Sequence, residues 1–123
     1  MAECDLPKVE TRVRFPSSAH MSRYFQGYIS ATTKQQADEI LDLLLRKKLV
    51  AGGLLLNGPT RFWWKGKIVD SHYYNISVFT KEPFKQPIIE EVQNLSNEEV
   101  PMVWFIELDG NTELLTWVDT SLL

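Results

Sequence analysis

Cysteine is nearly absent from this chain: Cys4 stands alone, which excludes an intrachain disulfide and fits a reducing compartment. Histidine is almost as scarce, with His20 and His72 only, so an imidazole metal cluster has few donors to draw on. Basic residues are not in excess, since 13 Lys and Arg face 16 Asp and Glu; a nucleic-acid surface is not expected. No apolar run approaches the roughly 18 residues of a membrane span. The start, with Glu3, Asp5 and Pro7, lacks the character of a signal peptide. The expectation is a soluble, cytoplasmic protein. With 123 residues there is room for one domain with a sizeable core, and little for a second.

The most informative stretch is Trp63-Trp64-Lys65-Gly66-Lys67. A two-residue Lys-Gly turn between long β-rich runs marks the tip of an extended hairpin, with Gly66 supplying the positive φ. Gly58-Pro59 interrupts the left-hand run and predicts a bulge or bend there. Upstream, residues 1–23 mix charge, Pro7, Pro16 and Ser17-Ser18 without periodicity, which reads as a flexible or loosely docked arm; the domain occupies 24–123. Tyr24 to Thr32 has strand character, and Thr33 with Gln36 three positions on forms a capping box that starts a helix at Lys34. Ala37, Ile40, Leu41, Leu44 and Leu45 recur at helical spacing, and Arg46-Lys47-Lys48 closes the helix where cations suit the dipole.

Beyond the hairpin, Glu82-Pro83 opens a second helix with Phe84, Ile88, Val92 and Leu95 on one face. Met102 to Leu108 is a strand, and Asn111 is a candidate N-cap for a short closing helix carrying Leu114, Leu115, Trp117 and Val118. The order β-α-β-β-α-β plus a terminal helix predicts an α+β, ferredoxin-like fold. Its strands do not alternate cleanly. Val103 and Phe105 oppose Trp104, Ile106 and Leu108, while Tyr73 and Phe79 oppose Tyr74, Ile76 and Val78. Apolar residues on both faces imply an oligomer, with Trp63, Trp64, Tyr73, Phe79 and Trp104 as interface candidates. Because Trp63 and Trp64 are adjacent in a strand, only one can join the core side of its own sheet.

Catalytic signatures are lacking. Neither histidine has the spaced His, Cys or carboxylate partners of a metal site or nucleophilic dyad; His72 reads first as an exposed strand residue and second as a metal ligand. Asp38, Glu39 and Asp42 read as helix-dipole carboxylates, Gly52-Gly53 as chain packing, and Glu98-Glu99 as a solvated loop before an anionic rim.

Several ordered motifs resemble the CutA divalent-cation tolerance proteins: Trp64-Lys65-Gly66-Lys67-Ile68, Val78-Phe79-Thr80, Glu99-Val100-Pro101, Leu115-Thr116-Trp117-Val118, and the helix exit Arg46 to Ala51. The likeness covers roughly 27–120. It implies a homotrimer of ferredoxin-like subunits whose long hairpins reach around neighbours, similar in plan to the PII signalling proteins. It further implies a non-enzymatic part in divalent-cation tolerance, with a cation such as copper or zinc, or a small ligand, held at an intersubunit cleft. The matching motifs put Trp64, Lys67, Asp70 and Glu99 in that cleft. The chain departs from the family pattern in having Gly52 at the cysteine position, Ser96-Asn97-Glu98-Glu99 where the pattern has His-Pro-Tyr-Glu, Met102 at an acidic position and Phe79 at a lysine position. The alternative is a structural or scaffold trimer that has lost metal binding and binds a protein partner through the N-terminal arm and exposed loops.

Overall fold

The computed structural model describes residues 23–122; the arm, apart from Arg23, lies outside the described residues together with Cys4 and His20. Four strands, β1 (Tyr24–Ala31), β2 (Gly52–Trp64), β3 (Lys67–Lys81) and β4 (Val103–Glu107), alternate with helices α1 (Lys34–Arg46) and α2 (Lys85–Leu95). A closing helix, α3, spans Thr112–Ser121. The sheet order is β2-β3-β1-β4, with every neighbouring pair antiparallel, as the split β-α-β arrangement requires.

Local chemistry sets the boundaries. Thr33 caps α1 by accepting a hydrogen bond from Gln36 N–H at 3.1 Å. Gln36 is buried, and its side-chain carbonyl accepts from Asn97 N–H at 2.8 Å, so this residue holds a distant loop. At the other end the Leu49 N–H bonds the Leu44 carbonyl and the Lys48 N–H bonds the Leu45 carbonyl, with Lys48 at φ 57. That is a Schellman cap built on lysine where glycine is usual. Lys47 reaches Glu91 on α2 at 2.6 Å, while Asp38 and Asp42 pair with Lys34 and Arg46 along the helix. These carboxylates lie beyond the first turn, so ion pairing in place of the dipole occupies them.

The hairpin keeps one register from Gly52↔Phe79 to Trp64↔Lys67, so no bulge occurs at Gly58-Pro59. The physical reason is that β2 is an edge strand, where the N–H that Pro59 lacks need serve no ladder bond. Both turn residues, Lys65 at φ 51 and Gly66 at φ 80, are left-handed, as a type I′ turn demands.

Ile29, Ala31, Ile76 and Val78 project from one sheet face onto Ala37, Ile40 and Leu44 of α1 and Ile88 and Val92 of α2. The opposite face is covered at one end by α3. There Trp117 meets Phe79 edge-on at 5.9 Å, Val118 and Leu122 are buried, and Asp119 takes a 2.6 Å hydrogen bond from the Tyr24 hydroxyl and a 2.8 Å ion pair from Lys81. A Cβ on Gly52 would come within 2.8 Å of the Trp117 ring, and one on Gly53 within 2.7 Å of Leu41, so the two glycines serve packing. Among the described residues the remainder of that face is uncovered: Leu54 is 59%, Leu56 54%, Trp104 50% and Ile106 47% exposed.

Candidate functional site

β1 pairs with β3 only from Tyr74 to Lys81, which leaves the tip half of the hairpin projecting past the sheet. Alternation places Thr60, Phe62 and Trp64 of β2 on the same face as Val69, Ser71 and Tyr73 of β3. This face and the 98–102 loop enclose a cleft of about 740 Å³. Its walls are aromatic, with Phe62 and Tyr73 edge-to-face at 5.8 Å. Its polar groups come from Thr32, Thr60, Arg61, Ser71, Tyr73, Glu98 and Glu99.

The loop is fixed from below. Ser30 N–H donates to the Met102 carbonyl at 3.0 Å, and Met102 N–H donates to Ser30 Oγ at 2.9 Å. The Ser30 hydroxyl in turn donates to the Glu98 carboxylate at 3.0 Å. Burial pushes the Glu98 carboxyl above its ordinary range, opposed by hydrogen bonds from Ser30 and Tyr73. Tyr73 is raised in turn, by burial first and then by the Glu98 charge. Glu98 is therefore no solvated loop residue, which corrects the expectation for it, because the Asn97 tether to Gln36 draws this part of the loop inward. At the mouth, Lys65 Nζ lies 3.2 Å from Glu99 and 5.5 Å from the centre of the Trp64 ring.

Of the four residues carried over by resemblance, Trp64 and Glu99 meet in this cleft. Lys67 sits opposite Trp64 at the tip, outside the lining. Asp70 faces the other side of the hairpin, paired with Arg61 at 3.3 Å. His72 is on that side too, exposed, with Nε2 2.9 Å from Asn57 Oδ1 and its ring edge-on to Tyr74. Among the described residues no three His, Cys, Asp or Glu are grouped to hold a metal. The interface candidates are dispersed. Trp63 is 71% exposed, Trp104 stacks on Tyr28 at 4.2 Å, Tyr73 lines the cleft, and Phe79 lies against Trp117 of its own chain. Neither Trp63 nor Trp64 is buried in the core, because the hairpin extends beyond the helical layer. Sequence reasoning missed Phe62, Thr60 and Ser30; their alternation along β1 and β2 was the available signal.

A four-stranded antiparallel sheet in the order β2-β3-β1-β4, two helices on one face and a projecting hairpin define the ferredoxin-like class. Within that class the chain belongs to the CutA family: the profile described as CutA1 divalent ion tolerance protein matches residues 26–121. The divalent-cation tolerance protein CutA of Archaeoglobus fulgidus is 30% identical over 95 residues, covering 76% of this chain and 93% of the relative. The CutA homolog of Danio rerio is 26% identical over 108 residues, covering 82% and 72%. Among solved structures, the periplasmic divalent cation tolerance protein CutA of Archaeoglobus fulgidus superposes with a TM-score of 0.79 at 28% identity, covering 81% of this chain and 99% of that one. CutA1 of Oryza sativa shares the fold, with a TM-score of 0.77 at 20% identity over 81% and 94%. No helix among the described residues is long and apolar enough to cross a membrane.

Proposed function

We propose that this chain acts as a non-enzymatic homotrimer of the CutA family that binds a cation or small ligand weakly in the hairpin cleft. The observation that carries the reading is the cleft itself, where Glu98 and Glu99 face an aromatic wall. The bare sheet face supports assembly, since covering the exposed half of each of Leu54, Leu56, Trp104 and Ile106 contributes roughly half of the 1.5–3 kcal/mol that burying a fully exposed apolar side chain yields. In the trimer a neighbour would complete the cleft. The cleft offers carboxylate and hydroxyl oxygens together with the Met102 thioether, and Gly52 and Ser96 supply neither thiolate nor imidazole. This set fits copper or zinc poorly and suits a harder cation with water retained. The lone cysteine favours a cytoplasmic setting.

Calorimetric titration with calcium, zinc and copper tests the site. A saturable heat that weakens in Glu99→Ala, with the trimer intact, is the expected result. No saturable binding of any of the three by the unmodified protein would remove cation binding from the reading.

A further inference from the structure

We infer that the cleft is built for a small organic ammonium, with the charged end at Glu98 and Glu99 and the carbon body against Phe62, Trp64 and Tyr73. This rests on the cleft being the ligand site proposed above and names the class of ligand. A hydrated metal ion draws little from an aromatic wall, whereas an amine uses both the wall and the carboxylates. The chain already displays one such contact. Lys65 Nζ, a primary ammonium on an alkyl stem, lies over the Trp64 ring at 5.5 Å and pairs with Glu99 at 3.2 Å, the combination of cation–π and ionic contact that recognises amines. Arg61, the cation among the lining residues, pairs with Asp70, and Glu98, oriented by hydrogen bonds from Ser30 and Tyr73, lines the cleft with its carboxylate. In the free protein Lys65 therefore acts as a tethered competitor at the mouth.

The test is calorimetry on the full chain in amine-free buffer, with phenethylammonium chloride, its neutral counterpart 2-phenylethanol, and calcium chloride. The ammonium should bind once per chain, and the alcohol at least about tenfold more weakly, since the difference is one charge-assisted contact. Lys65→Asn creates the Asn-Gly pair that the turn favours, so folding is preserved; it should bind the ammonium roughly threefold more tightly or better by removing the competitor. Glu99→Gln and Glu98→Gln should each weaken it. An alcohol that binds as tightly as the ammonium, or a Lys65→Asn protein that binds no more tightly, overturns the inference. Calcium binding without ammonium binding overturns it while leaving metal binding in place. Ammonium without calcium supports it and removes the metal, and binding of neither removes both.

Discussion

Lys48 holds a left-handed backbone, φ 57, at an exposed helix end, a conformation that costs a non-glycine residue about 1–2 kcal/mol. Lys48→Gly should therefore raise stability by roughly 1 kcal/mol, read as a higher midpoint in thermal or urea unfolding; no change would show that the lysine side chain contributes an equal stabilisation. Glu98 gives a pH signature. Its carboxyl is raised from the ordinary 4.5 by burial, so the folded state holds the proton longer than the unfolded chain. Stability should fall as pH rises from about 4.5 through the raised value, and should not change on this account below it. Glu98→Gln should flatten that stretch of the profile; an unaltered profile would assign the slope to another group. At this scale the sequence was partly legible. The Thr33 cap could be read because a side-chain acceptor rule is local, but the lysine-based Schellman turn and the inward pull on Glu98 could not. The first depends on a backbone angle that lysine rarely adopts, the second on a bond to Gln36, 61 positions away.

The hairpin and α3 behave differently as elements. The hairpin was legible because its two-residue turn sits between β-rich runs, and it was misjudged at Gly58-Pro59 because strand order, not composition, decides whether a missing N–H matters. Closing helix α3 was legible as a helix, but its seat was not, since nothing local to 112–121 announces that Trp117 will fill the space above Gly52. That contact has a measurable consequence. Gly52→Val puts atoms where the ring lies, since even a Cβ there would come within 2.8 Å of it, and overpacking of this kind typically destabilises by about 1–3 kcal/mol. Hydrogen exchange should show α3 losing protection while α1 keeps its own. Unchanged protection of α3 would mean that Asp119, through Tyr24 and Lys81, holds the helix without Trp117. The same geometry gives Gly52 a physical rationale at the position where the family pattern has a cysteine, because a side chain there would need Trp117 to move.

For the whole molecule, the failure of β4 to alternate already marked a second apolar face, and the bare stretch around Trp104 and Leu54 is that face. The cleft was hidden because it joins residues 60–73 with 98–102 through the overhang of a hairpin. Hairpin length can be read from the sequence, but where the projecting half comes to lie is a property of the folded sheet. Trp104→Glu should leave the subunit folded, since its ring is half exposed, and should shift the protein from trimer to smaller species in light scattering. A trimer that survives this change would place the contact elsewhere on the face. Native mass spectrometry of the full chain before and after addition of calcium, zinc or copper tests the claim of a trimer with a cation-binding cleft. The expected species has three times the 14.2 kDa chain mass and gains cation in proportion to its subunits; a monomer, or a trimer that gains nothing from any of the three metals, would contradict the claim.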